Sequence, residues 1–464
     1  MLSYNQIVPD TNLDNLEEYF QPYREGIIGI DERINTATQK SIPLVYADWT
    51  ASGRCYLPIE QKLQNDVMPL MANTHTESSY TGSFISNEYA KARRAIKKHV
   101  NANENDYLIS CGSGMTGAVN KLQRILGFRV HERFRKRLVL SKEERPVVFV
   151  THMEHHSNQT SWLETICEVV VVPPDDQGLV SVANFESAIK EHSDYPFKIA
   201  SITACSNVTG IETPVHDIAN LIHKYKGYCF VDYACSAPYV DIDMHVGDTS
   251  YLDAIFFSPH KFLGGPGSSG ILVFGKHLYS NLVPDVSGGG TVDWTNPWGG
   301  HKYVDNIEMK EDGGTPAILQ TIKVAYCIDL KNAMGVAKMK LRETELKNIM
   351  WDAFANTPKV QLLAKEHSKR KGIFSFYIDG MHHNDLAKQL NDQFGIQSRG
   401  GCSCAGTYGH YLLGIDRVHS KRITDMIDAG NESEKPGWVR ISIHPTMTNK
   451  EAAFIASSIL TLAR

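Results

Sequence analysis

The chain lacks a long apolar run, a large excess of either charge and any cysteine framework, and each lack removes a class of protein. None of its 464 residues falls in an apolar stretch of membrane-spanning length. Its first ten residues, MLSYNQIVPD, lack the charged-then-apolar pattern of a secretory signal, so a cytoplasmic protein is expected. Lys and Arg number 47 against 52 Asp and Glu, a net charge of −5, which argues against nucleic acid or a membrane surface as partner. There is no internal repeat and no low-complexity tract. The nine cysteines are odd in number and mostly scattered. Several lie in apolar strand-like runs, where cysteine acts as a small hydrophobe, so a disulfide scaffold is not expected. Only Cys402 and Cys404 form a close pair, and no second pair nearby completes a metal site.

What is present is length and alternation. A chain of 464 residues can bury a large core and divide into two or three lobes. Leu13 to Tyr23 reads as a helix outside the main core, Leu44 to Trp49 as a short strand, and Ile59 to Met71 and Ser86 to His99 as helices. From Tyr107 strands alternate with loops and helices. The strand candidates are Tyr107 to Ser110, Val147 to Thr151, Glu168 to Val172, Ile199 to Cys205, Tyr228 to Val231, Ala254 to Phe257 and Gly270 to Phe274. A helix is expected from Ala118 and another over Val215 to Tyr225. The alternation predicts an α/β fold with a mainly parallel sheet covered on both faces. Ligands of such sheets gather at the carboxyl ends of the strands. After Thr315-Pro316 one long helix is predicted to about Asp352, followed by shorter strands and helices to the end. We therefore expect three parts: residues 1–45 packing with a small domain, a large ligand-binding domain over 46–320, and the small α/β domain over 321–464.

The stretch from Tyr251 to Gly270, YLDAIFFSPHKFLGGPGSSG, draws the rest together. A buried strand stops at Ser258-Pro259, and Lys261 follows before a glycine-rich loop. Burial disfavours a charged ammonium, and a neutral amine attacks carbonyls; linkage to the aldehyde of pyridoxal phosphate (PLP) is the common use. Ser258 and His260 flank it with donors that suit a phosphate. A surface lysine beside a flexible loop would read the same in isolation. Asp232 ends the strand YCFVD before the lysine strand, where a carboxylate suits a pyridinium nitrogen or merely caps a turn. The segment THMEHHSN holds three histidines, but their spacing after a strand is not a strong zinc pattern. CGSGMTG, Cys111 to Gly117, joins a strand to a helix, where small residues and a helix N-terminus favour an anion. Arg440, in the alternating run WVRISIHP, can clamp a carboxylate through two parallel hydrogen bonds.

These segments, in this order, resemble the class V aminotransferase superfamily of PLP-dependent, fold type I enzymes, and within it the cysteine desulfurase and selenocysteine lyase branch. The resemblance runs from Asp48 to about Ser442. It implies a seven-stranded, mainly parallel sheet in the large domain, PLP bound through Lys261, Asp232 at the ring nitrogen and His155 stacked on the ring. Met115, Thr116, Ser258 and His260 would cup the phosphate, with Thr315 of Gly314-Thr315-Pro316 reaching a phosphate across a homodimer interface. Asn207, in Ser206-Asn207-Val208-Thr209-Gly210, would lie near a cofactor oxygen or the substrate carboxylate, and Arg440 would bind that carboxylate. Where the family has Val-Asp-Gly-Ala-Gln, this chain has Val231-Asp232-Tyr233-Ala234-Cys235, so Cys235 stands in the place of the glutamine at the ring oxygen. Arg399 to Gly406, RGGCSCAG, resembles the loop whose last cysteine attacks the substrate sulfur, here Cys404, beside the cation of Arg399. Cys402 is a second acceptor, a redox partner or a packing residue.

The function expected is removal of sulfur from L-cysteine, leaving L-alanine and a persulfide on Cys404, with a sulfur-acceptor protein as partner. Cys235 and the altered loop after Cys404 leave a second reading open, namely transamination, epimerisation or C–S lysis of a larger amino acid. A third is a non-catalytic scaffold of the same fold, against which the joint presence of Lys261, Asp232, His155 and Arg440 argues.

Overall fold

The computed structural model describes residues 15–74, 78–355 and 357–464. Among these, seven strands form the principal sheet: β1 (Asp106–Cys111), β2 (Val147–Thr151), β3 (Glu168–Val172), β4 (Lys198–Thr203), β5 (Tyr228–Asp232), β6 (Ala254–Phe257) and β7 (Gly270–Gly275). Their order across the sheet is β1-β7-β6-β5-β4-β2-β3, and each neighbouring pair is parallel except the two made by β7. Every residue of β2, β4, β6 and β7 is buried, as strands covered on both faces must be. Successive side chains point to opposite faces. Thus Phe149, Ile255 and Phe257 enter one hydrophobic core, while Val148, Val150 and Phe256 enter the other. The second core is closed by the helix Met115–Ile125 and by Trp162 of the helix His156–Leu163.

The expected elements of this sheet are present, with ends moved by one or two residues. The helix expected from Ala118 starts earlier, at Met115, directly after the glycine turn. The helix expected from Ser86 starts at Tyr80, because the Ser79 hydroxyl accepts the Gly82 N–H at 3.2 Å and caps it there. The single long helix expected after Pro316 is two helices, Ile318–Met334 and Val336–Ala355. Gly335 separates them at φ 75 and ψ 114, a backbone conformation open to glycine and closed to most side chains. Leu13 and Asp14, at the start of the first expected helix, lie outside the described residues; its described part is Leu16–Glu25.

A second, antiparallel sheet follows, with four strands among the described residues: β8 (Val360–Leu362), β9 (Ile373–Ile378), β10 (Arg399–Gly401) and β11 (Trp438–Ser442), in the order β8-β9-β11-β10. In its register Arg399 lies opposite Arg440. The early segment Val45–Tyr46 pairs in parallel with Ile396–Gln397, and Asp48 bridges to Ser442. The start of the chain is thereby laid against the end, which brings Asp48 beside both arginines. Arg24 with Glu451, and Arg342 with Glu17, tie the first helix to the same region at 2.7 and 3.0 Å. Among the described residues no helix is long and apolar enough to cross a membrane.

Candidate active site

β1, β2, β4, β5 and β6 all present their carboxyl ends at one edge of the sheet, and reversed β7 presents its amino end there, since Gly270 pairs with Cys111. A cavity opens at that edge. Met115, Thr116, His155, Asn207, Asp232, Cys235, Ser258, His260, Lys261 and Arg440 line it, which is every expected site residue except Cys404 and Thr315. Thr315 is exposed.

Lys261 closes a single tight turn after β6, Pro259–Lys261. Glycines grip this turn on both sides. A Cβ on Gly265 would lie 1.9 Å from the Pro259 carbonyl oxygen, and one on Gly53 would lie 1.9 Å from that of Phe262. The amine faces the cavity rather than bulk solvent, and burial pushes its pKa down, against the pull of Cys235 and Asp232. Asp232 is 3% exposed, and its carboxylate accepts the Ala234 N–H at 2.7 Å. Burial raises its pKa to about 6, opposed by that hydrogen bond and by Lys261. His155 begins the helix His156–Leu163, and its Nδ1 accepts the Ser157 N–H at 3.1 Å. Burial, with Lys261, His156, Arg440 and Arg399 nearby, lowers its pKa to about 3, so the ring is neutral.

Donors gather around Gly114. The Ser258 hydroxyl accepts the Met115 N–H at 2.8 Å, and the Thr116 and Ser157 hydroxyls lie 2.7 Å apart. A Cβ on Gly114 would sit 3.0 Å from the Ser258 oxygen and 3.6 Å from the His260 ring, filling the gap between them. Cys235 and Cys205 form a thiol pair on one wall, both sulfurs lying 3.7 Å from the Ser206 carbonyl oxygen. Cys235 is the more acidic of the two, through its hydrogen bond with Cys205 and the charges of Lys261 and Arg440.

Arg440 donates from Nη2 to Asp48 at 2.8 Å and from Nη1 to the Asn207 carbonyl at 3.1 Å. Its Nε is buried with no partner among the described residues, although the side chain lines the cavity. Arg399 reaches the other oxygen of Asp48 at 3.3 Å. Asp48 thus joins two guanidinium groups at the cavity edge, a role that sequence reasoning missed. The strand-end carboxylate of YADWT was a visible signal, but its partners lie at the far end of the chain.

Cys404 is exposed and lines a separate outer cleft, together with Cys402, His382, His383 and Lys435. Arg399 and Ser403 line both spaces and form the wall between them. Ser403 and Cys404 adopt φ 52 and 56, left-handed values that cost a non-glycine residue roughly 1–2 kcal/mol each. Four hydrogen bonds hold them there. Asn207 donates to the Ser403 carbonyl at 2.7 Å, Trp438 to the Ser403 hydroxyl at 3.1 Å, and the His156 N–H to the Cys404 carbonyl at 2.8 Å. His156 Nε2 then accepts the Gly406 N–H at 3.0 Å, so this histidine pins the loop. His152 lies in the turn before the helix His156–Leu163, its Nε2 3.1 Å from the Gly178 carbonyl.

A mainly parallel sheet with one reversed strand, carrying a lysine and a carboxylate at its ligand edge, defines a PLP-dependent enzyme of fold type I. The chain belongs to the class V aminotransferase family, whose model, described as Aminotransferase class-V, matches residues 45–453. It is 27% identical over 381 residues to a probable cysteine desulfurase of Halalkalibacterium halodurans, covering 81% of this chain and 86% of that one. It is also 27% identical over 304 residues to a cysteine desulfurase of Haloferax volcanii, covering 61% of this chain and 68% of that one. Among solved structures, the cysteine desulfurase CsdA of Escherichia coli matches with a TM-score of 0.74 at 20% identity, over 97% of this chain and all of that one. At that identity the solved structure bears on the fold alone.

The residues present fit PLP. Lys261 supplies an enclosed amine, Asp232 a buried carboxylate, and the opening at Gly114 is ringed by the hydroxyl, imidazole and helix N-terminus that a phosphate needs.

Proposed function

We propose that this chain is a cysteine desulfurase of the kind that also includes selenocysteine lyases, moving sulfur from L-cysteine to Cys404 and releasing L-alanine. The observation that carries the reading is the shared wall: the loop that bears Cys404 also lines the PLP-type cavity through Arg399 and Ser403. In this reading Lys261 and Asp232 hold the cofactor, His155 covers its ring, and Met115, Thr116, Ser258 and His260 take its phosphate. When bound, PLP supplies an electron sink that makes the substrate Cα proton and Cβ–S bond labile.

The chain's own groups do the rest. Arg440 and Asn207 orient the substrate carboxylate. The Lys261 amine, whose pKa burial lowers, takes the proton from Cα. The Cys404 thiolate attacks the substrate sulfur; the Cβ–S bond breaks, a protein persulfide forms, and protonation at Cβ gives alanine. Cys235 stands beside Lys261 where the family's glutamine would meet the ring oxygen.

The exposed position of Cys404 in a cleft outside the cavity favours a second reading, in which another class V reaction on a larger amino acid does not use that thiol. Alanine and sulfide formation from L-cysteine, measured for wild type and Cys404→Ala, separates the two. Loss in the variant supports desulfuration, and unchanged rates support the alternative. We further propose a homodimer and a sulfur-acceptor protein. Trp294 and Trp298, 51% and 88% exposed on a hairpin, are apolar surface that a second copy would cover. A division near residues 45 and 320 follows the two sheets, and a cytoplasmic setting suits nine unpaired thiols.

A further inference from the structure

Resting on the assignment of Cys404 as first sulfur acceptor, we propose that Cys402 is a second one, which takes the outer sulfur of the Cys404 persulfide within the outer cleft. Both thiols belong to one turn, closed by the Ala405 N–H donating to the Cys402 carbonyl at 3.0 Å. A turn of this kind keeps its ends within about 7 Å. Both residues line the same cleft, on the side of the Arg399 and Ser403 wall away from Lys261.

The cleft is furnished for anionic sulfur. His382 Nδ1 accepts the Asn384 N–H at 3.3 Å at the start of the helix His383–Phe394, which puts the ring proton on Nε2. That Nε2 is buried and has no partner among the described residues. A donor fixed in place without an acceptor awaits one, and a persulfide anion is one. Lys435 lines the same cleft, its ammonium paired at 2.9 Å with Glu432, a carboxylate that lines it too. A metal would be the rival use of paired thiols and imidazoles, but among the described residues no group of three or more such side chains is placed to hold one.

The transfer balances without an oxidant or reductant. The Cys402 thiolate attacks the outer sulfur of Cys404–S–SH, a new S–S bond forms at Cys402, and the old one breaks. The Cys404 sulfur leaves with the electron pair and takes up the proton that Cys402 gave. Cys404 is then free to accept a second sulfur while the first waits at Cys402.

The test uses PLP-loaded enzyme and L-cysteine without added reductant, followed by thiol alkylation and mass spectrometry. Wild type is expected to carry about two sulfane sulfurs per chain, one on each cysteine, and to release about two equivalents of alanine. Cys402→Ser should stop at one, on Cys404, and Cys404→Ser should carry none. Wild type with one sulfur confined to Cys404, or a Cys402→Ser variant that still loads two, overturns the relay and leaves the desulfurase reading standing. Loading of Cys402 in Cys404→Ser, or no loading and no alanine in wild type, instead overturns the assignment on which the relay rests. Peptide mapping of the wild type alone decides the matter should either variant fold poorly.

Discussion

At the ends of β5 and β6, Asp232 and Lys261 sit in a cavity walled by several strands, and burial shifts the pKa of both. After β10, Cys402 and Cys404 sit on a turn at the outer surface, in which Ser403 and Cys404 are held in a left-handed conformation by hydrogen bonds from three distant segments. The first region gets its chemistry from what surrounds it: burial lowers the local dielectric, so charges and dipoles act strongly. The second is set apart by access, since Cys404 is exposed in the outer cleft. Under the proposed function one site selects a substrate and the other delivers a product, and Arg399 with Ser403 is the partition between them.

The division is broken most severely at the lysine. Lys261→Ala should lower turnover by at least about 10³-fold, because both the covalent attachment and the Cα base are lost. It should also abolish the visible absorption band after incubation with PLP. Retained turnover with no band would mean that the cavity is not the reaction site. Cys404→Ala comes next and should separate the two regions cleanly. Alanine formation should fall on the order of 10²-fold, while the PLP band and its response to L-cysteine persist. A variant that loses the band as well would show that the turn supports the cavity rather than serving it.

Asp48→Asn acts on the partition itself. Asp48 holds Arg440 and Arg399 through separate oxygens, so its loss frees two guanidinium groups to move. KM for L-cysteine should rise about tenfold, roughly 1.4 kcal/mol, with a smaller change in kcat. A KM that falls would mean instead that Asp48 competes with the substrate for Arg440.

The two regions also differ in how legible they were in the sequence. Lys261, Asp232, His155 and the turn at Gly114 each end or follow a strand, and a parallel sheet gathers strand ends by its topology, so reading strands was enough to bring them together. The position of Asp48 was not legible, because 392 residues separate it from Arg440 and only tertiary pairing of the two segments joins them. Nor was the orientation of Cys404. The sign of φ at Ser403 and Cys404 is set by Asn207, Trp438 and His156, none of them neighbours in sequence. The break at Gly335 was visible as a glycine, yet helical periodicity on both sides hid it.

The smallest expected effect lies under the cavity floor, at Glu154. Its carboxyl is fully buried and takes the Thr151 N–H and hydroxyl at 3.2 and 2.7 Å, the Thr203 N–H at 2.9 Å and the Asn158 amide at 2.8 Å. It therefore ties the ends of β2 and β4 to the helix that carries His155. Burial pushes its pKa from 4.5 to about 8, against those hydrogen bonds. Between these values the folded chain binds the proton and the unfolded chain does not. This group's contribution to stability is then complete below pH about 4.5 and lost as pH rises through about 8. A side-chain amide cannot ionise, so Glu154→Gln removes this slope, whatever constant cost its altered hydrogen bonds bring. From pH 6 to pH 9 the Tm of the wild type should fall relative to that of Glu154→Gln by about 2 °C. Parallel curves would mean that the carboxyl is already ionised at pH 6, its four donors outweighing burial. The floor would then be held by a buried charge rather than by a neutral acid.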